Sequence, residues 1–384
     1  MSAAALAGLR PHQVAAVNAF EAARAGGARR LVVELPTGAG KTRTAAALVR
    51  RLGVRTLWLA HTRELVQQAR VALRAALPVT TDVGGLGSAD VVVTTIQTAG
   101  RRALADLGTF GLVIVDEVHH AVGATYRKLL GALGLFQAGG PVFLGLTATP
   151  GRPGLADLFE KIVYQLPVAD ALAAGILCPI ERPLRLRLAA LDVGRVLVAA
   201  GDLQARALGA ALVASGAARA TAEVVARHAP GRRTMVFTAT IAQATATAAR
   251  LNELGIPAAA VSAVTPTAER ADILTRYAAG SLRAVVNCAL LTEGYDCPAT
   301  DCVVVARPTK SEILYRQMIG RGLRPCPGKS GLLIVDLVGA VDRHDIWSVG
   351  RLIQGRAPVE IQADASGSLG LLSRAASWLW GILT

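Results

Sequence analysis

Short apolar runs punctuate the chain, and polar or alanine-rich stretches fill the gaps between them. Residues 31–35, 56–60, 91–95, 112–115 and 142–147 form one series; residues 234–238, 258–261, 284–287, 302–306 and 331–336 form a second. Each run is predominantly apolar, without in–out alternation, which is the pattern of parallel strands buried on both faces. The Ala-rich stretches between them, among them 42–52 and 206–228, read as helices. Two such series predict an α/β protein of two domains, each a mostly parallel sheet with helices on both faces.

Between the series lies a segment carrying Pro150, Pro153, Pro167, Pro179 and Pro183. The crossing is expected near residue 180, giving domains 1–180 and 181–345 and a C-terminal extension, 346–384. The extension ends in SLGLLSRAASWLWGILT (368–384), with Trp378 and Trp380. Two readings of this tail stand: a helix packed on its own domain, which is preferred, or a dock for a protein partner or a membrane surface. It is too short to span a bilayer.

Composition adjusts this picture modestly. At roughly 100–200 residues per domain, 384 residues suit two domains. The net charge of +14 fits a polyanionic partner; an arginine-rich soluble surface would give the same number. The cysteines, Cys178, Cys288, Cys297, Cys302 and Cys326, form no C-x-x-C pair, so no zinc site is expected. Their scatter suits a reducing, cytoplasmic setting. The first residues lack a signal-peptide layout, and no run of some 18 apolar residues predicts a membrane span.

The chemistry begins at LVVELPTGAGKTRTAA (31–46). A Gly-rich turn between a buried strand and a helix aims backbone N–H groups at phosphate, aided by the helix dipole. Thr37, Gly38, Ala39, Gly40, Lys41 and Thr42 would cradle ATP. Lys41 would reach the β- and γ-phosphates, and the Thr42 hydroxyl would hold Mg²⁺. A strict phosphate loop has glycine where this chain has Leu35, a position that closes the strand and need not touch phosphate. GLVIVDEVHH (111–120) then delivers Asp116 for the metal and Glu117 to orient or deprotonate the attacking water.

With these motifs the chain resembles superfamily 2 helicases of the DExH type, and most of all the RadD-like and type III restriction ATPase group. LRPHQ (9–13) resembles the adenine-reading Q motif, with Gln13 as reader, and LPTGAGKT (35–42) has the superfamily's own form of the loop. LAHTRELVQQ (59–68), TTIQT (94–98), DEVHH (116–120) and GLTATP (145–150) resemble motifs Ia, Ib, II and III. MVFTAT (235–240), LLTEGYDCP (290–298) and YRQMIGRGLR (315–324) resemble motifs IV, V and VI. The resemblance implies two tandem RecA-like domains with the ATP cleft between them. It makes Gln317, Arg321 and Arg324 catalytic partners of Lys41, Asp116 and Glu117; Arg321 and Arg324, three residues apart, share one helix face. Gly294 and Asp296 would contact the nucleotide, or serve as a turn glycine and a helix cap. His119, Thr147 and Thr149 would couple the sites, or the threonines would only satisfy loop backbone.

The resemblance also implies a nucleic-acid track, with Arg63, Thr95, Thr238 and Thr292 as candidate contacts. Backbone contacts of this kind carry no sequence information. Aromatic residues make up only 4% of the chain, leaving little material for base stacking. The leading expectation is an ATP- and Mg²⁺-dependent DNA helicase, with DNA preferred over RNA as partner. A double-stranded DNA translocase, or the motor subunit of a larger restriction, repair or phage assembly, is the alternative. A non-catalytic nucleotide-binding scaffold stands further off, because Lys41, Asp116, Glu117, Arg321 and Arg324 are all present.

Overall fold

The computed structural model describes residues 6–76, 81–82, 90–101, 108–149, 154–181, 183–199, 202–292, 294–339, 347–352, 358–364 and 366–369. The chain divides into two compact units, Met1–Ala171 and Leu172–Thr384.

The first unit holds β1 (Arg30–Glu34), β2 (Thr56–Ala60), β3 (Thr81–Asp82), β4 (Val91–Thr95), β5 (Leu112–Val115), β6 (Val142–Thr147) and β7 (Lys161–Gln165). They form one sheet in the order β3-β4-β2-β5-β6-β1-β7, and all its pairings are parallel. β1, β2, β5 and β6 are almost wholly buried, as their largely apolar sequences require. The register sets Leu59 beside Val115, Val115 beside Gly145, and Glu34 beside Thr147. The carboxyl ends of β2, β5, β6 and β1 therefore finish level, and the loops after them leave from one edge of the sheet. In open α/β sheets ligands bind at that edge.

The second unit holds β8 (Leu184–Leu188), a short antiparallel hairpin of β9 (Val198–Ala199) and β10 (Asp202–Leu203), then β11 (Thr234–Thr238), β12 (Ala258–Val261), β13 (Ala284–Cys288), β14 (Cys302–Ala306), β15 (Leu333–Val338) and β16 (Val359–Ala363). Apart from the hairpin these make a second parallel sheet, ordered β12-β13-β11-β14-β15-β8-β16.

The continuous apolar runs are strands, to within a residue or two at their ends. The strands absent from that pattern are β7, β8 and β16 at the sheet margins, and short pieces. β8 reads LRLRL and β16 reads VEIQA, each burying alternate residues because one face meets solvent. The stretch 206–228 is two helices, Ala205–Ala214 and Ala217–His228, broken at Gly216 in the left-handed region (φ 69°). No single described helix is long and apolar enough to cross a membrane; this bent pair passes on length and composition together. Its Leu208, Leu212, Ala220, Val224 and Val225 are packed in the second unit's core. The division between units falls within the helix Val168–Ala173. Ile180 is bridged to Leu332, and the Cys178 N–H donates to the Leu323 carbonyl, so this stretch is tied into the second unit. The tail beyond Leu369 lies outside the described residues.

Candidate functional site

Each unit carries one group of the residues singled out above. In the first, β1 runs into a loop whose Leu35 N–H still donates to the Thr147 carbonyl of β6 (3.0 Å). Gly38 and Gly40 both take positive φ, 94° and 92°, and Gly40 precedes the helix Lys41–Leu52. Only glycine holds this turn without strain. A Cβ on Gly40 would also lie 2.2 Å from Gln13 Nε2.

Gln13 sits in the first turn of the helix Pro11–Ala25, 2% exposed. Its Oε1 accepts from the Arg10 N–H (2.9 Å), and its Nε2 donates to the Ala39 and Gly40 carbonyls (3.3 Å each). His12 Nε2 lies 2.9 Å from the same Ala39 oxygen. Here Gln13 braces the phosphate loop. His12 shares that duty, and it escaped the sequence reading because nothing local links it to residue 39.

Lys41 Nζ donates to the Leu35 carbonyl (3.4 Å) and lies 3.5 Å from Glu117 Oε1, in a pair whose side chains are 10% and 8% exposed. Glu117 follows β5 at φ 47°, ψ 56°, and opens the 3-10 turn Val118–Val122. Its own N–H donates to Asp116 Oδ1 (3.0 Å). Glu117 Oε2 lies 3.4 Å from His119 Nδ1, and the same nitrogen lies 3.3 Å from Thr147 Oγ1. That hydroxyl also accepts from the Thr149 N–H (3.0 Å). One chain of contacts thus joins Lys41, Glu117, His119, Thr147 and Thr149. A Cβ on Gly145 would come within 2.9 Å of Val118, so the glycine is what lets this turn lie against β6.

Thr42 and Asp116 offer hydroxyl and carboxylate oxygen, hard donors of the kind Mg²⁺ takes alongside substrate phosphates. Among the described residues no group of three or more His, Cys, Asp or Glu could hold a metal ion. A cation that draws most of its ligands from phosphate and water needs no such cluster.

In the second unit the helix Glu312–Gly320 is capped by Ser311, whose hydroxyl accepts from the Leu314 N–H (3.2 Å). The helix stops at Gly320, so Arg321 and Arg324 lie beyond it and do not share the helix face that their spacing suggests. Gln317 is 7% and Arg321 9% exposed. Arg321 Nη1 donates to the Tyr295 carbonyl (2.7 Å), Arg324 pairs with Asp296, and Gly294 takes φ 75°. Motifs V and VI are therefore brought together. Two residues absent from the sequence reading support this: Lys329 bridges the two motifs and Asp336 anchors motif VI. Lys329 Nζ donates to the Thr300 (2.6 Å), Arg324 (3.0 Å), Pro298 (3.3 Å) and Gly322 carbonyls. Tyr315 donates to the buried Asp336 carboxylate (2.8 and 3.0 Å), which also accepts from the Val349 N–H (2.9 Å).

The candidate nucleic-acid contacts are dispersed. Arg63 is exposed at the start of the helix Arg63–Ala76. Thr95 caps the helix Ile96–Gly100, its oxygen accepting from the Thr98 N–H (3.1 Å). Thr292 is half-buried in a turn. Thr238 is 1% exposed, and its hydroxyl donates to the Asn287 and Thr240 carbonyls (3.0 and 3.2 Å).

Two family descriptions match the chain. Residues 6–152 match the type III restriction enzyme res subunit, and residues 217–326 match the helicase conserved C-terminal domain. The chain belongs to helicase superfamily 2. Among curated relatives of this superfamily 2 protein, IRC3 of Saccharomyces cerevisiae, provisionally named an ATP-dependent helicase, is 30% identical over 86% of the chain and 52% of its own length. The DNA 3'-5' helicase XPB of Mycobacterium tuberculosis is 29% identical over 86% of the chain and 60% of its own. The chain thus spans little more than half the length of either relative. A fragment assigned provisionally as the HsdR subunit of a Vibrio vulnificus type I restriction enzyme superposes with a TM-score of 0.71, covering 94% of the chain and 70% of the fragment at 21% identity. That likeness shows the fold: both units of this superfamily 2 chain are RecA-like.

Proposed function

We propose that the chain is a nucleic-acid-dependent ATPase that drives movement along DNA and unwinds it. The observation that carries this reading is the buried sequence Lys41–Glu117–His119–Thr147, built on the loops after β1, β5 and β6. It pairs a phosphate-binding cation with a carboxylate able to orient water, and a scaffold that only binds nucleotide has no use for the second group. DNA is favoured over RNA by the XPB relative, which is named a DNA helicase.

In this reading the loop N–H groups and Lys41 bind the phosphates of ATP, and Glu117 orients the attacking water and takes its proton. Thr42 and Asp116 would hold Mg²⁺, which would neutralise phosphate charge. Gln317, Arg321 and Arg324 act on the same γ-phosphate as its charge develops. Turnover then depends on residues of both units, and that dependence is what couples hydrolysis to movement.

The test is ATP turnover against a panel of single- and double-stranded DNA and RNA. Stimulation by DNA beyond that by RNA is expected, and no stimulation by any strand would end the motor reading. Displacement of a strand from a forked duplex separates unwinding from the alternative of a double-stranded DNA translocase, which would displace a triplex strand only.

A further inference from the structure

Three histidine rings lie in a row inside the first unit, and only one of them belongs to the machinery above. His61 follows β2, and its ring centroid lies 4.2 Å from that of His120, tilted by 41°. His120 lies 4.3 Å from His119, tilted by 42°. His119 Nδ1 lies 3.4 Å from Glu117 Oε2. At the other end, His61 adjoins Thr62, whose hydroxyl accepts from the Leu65 N–H (3.2 Å) and so fixes the start of the helix Arg63–Ala76.

The sheet register explains how this row comes about. β2 and β5 are neighbours, Leu59 lies beside Val115, and the Asp116 N–H donates to the Leu59 carbonyl (2.9 Å). His61 and Glu117 each leave the sheet two residues beyond that matched pair. Packing alone would be served at lower cost by apolar side chains, since a partly buried imidazole must satisfy polar nitrogens. A contiguous row of packed side chains between two sites is the kind of structure that carries coupling.

We propose that His61 and His120 are positioning residues that link nucleic-acid contact at the start of the helix Arg63–Ala76 to the placement of Glu117. The inference rests on the motor reading and deepens it, because it names the route within one unit by which the strand raises turnover. A strand engaging Arg63 bears on the helix start, His61 moves with it, and the ring row passes that displacement to His119 and the carboxylate.

The experiment uses the full chain, ATP and a single-stranded DNA oligonucleotide. In His61→Ala and His120→Ala the DNA-stimulated part of turnover should fall about tenfold, while DNA-free turnover and oligonucleotide affinity stay within about twofold. His61→Phe and His120→Phe, which restore a ring, should return most of the stimulation, and they keep the test open if an alanine variant folds poorly. Undiminished stimulation in both alanine variants overturns the proposal. So does a parallel loss of DNA-free turnover, which would mark a general structural role. If wild-type turnover does not respond to DNA at all, the motor reading fails first and this coupling falls with it.

Discussion

At Glu117 the backbone takes φ 47° and ψ 56°, a conformation that costs a residue with a side chain about 1–2 kcal/mol. The contacts to Lys41 and His119 hold the carboxylate there, as expected where strain serves a site. Glu117→Gln should keep nucleotide binding and lose turnover. Glu117→Gly should also lose turnover, yet unfold about 1 kcal/mol less readily than Glu117→Gln, because both lack the charge and only glycine relieves the backbone. Equal denaturant midpoints would show that no strain is stored. The candidacy of Glu117 is legible from VDEVHH alone; its backbone conformation is not, since Lys41 and His119, which pack around it, are not read from that stretch as its partners. Asp336 gave no sequence signal beyond ending an apolar run, because its partners, Tyr315 and Val349, are remote in the chain. Burial lifts its carboxyl to about 6, against the Val349 and Tyr315 bonds and the charge of Arg185. The unfolded chain would titrate near 3.9, so the folded state holds this proton more tightly. The stability this contributes is complete below about pH 4 and lost as pH rises through about 6, on the order of 3 kcal/mol in all. Other carboxylates pull the opposite way, so the measurement is a difference. Unfolding free energy of wild type minus Asp336→Asn should rise as pH falls across that window, and a flat difference would refute it.

Among elements, the central strands are readable because burial on both faces forces an unbroken apolar run, as in LVIV of β5. The margins are harder. KIVYQ of β7 is largely exposed, so it carries no such run. The loops joining motifs V and VI are harder still, because what organises them is one side chain downstream. The half-buried ammonium of Lys329 gathers four carbonyls from two loops, and burial lowers its pKa while nearby Cys178 and Asp301 raise it. Lys329→Met keeps the aliphatic stem and strands those acceptors, which should destabilise the protein by about 2–4 kcal/mol. Lys329→Arg should not rescue it, because a planar guanidinium cannot converge on one point as an ammonium does. Denaturant unfolding of the two variants checks this; an arginine variant as stable as wild type would show that charge alone suffices. A lowered kcat in Lys329→Met with KM for ATP retained would place the clamp's effect on Arg321 and Arg324.

For the whole molecule, the net charge of +14 separates two ways of holding a strand. Of the four candidate contacts, only Arg63 is a cation. If the grip were those four residues, a single strand would release counterions at one point, and the logarithm of affinity would fall against the logarithm of salt with a slope of about −0.7. If arginines spread over both units share the backbone, the slope should be steeper than about −3, the value for four neutralised phosphates. The small aromatic fraction favours the second case, because little stacking is available to replace charge. Oligonucleotide affinity measured across a salt series is therefore expected to give the steep slope, with Arg63→Ala flattening it by about 0.7. DNA-free turnover should respond far less, since Lys41 and Glu117 are buried and screened little by salt. A shallow slope abolished by Arg63→Ala would instead confine the track to the start of one helix, and the +14 would then be surface composition with no part in binding.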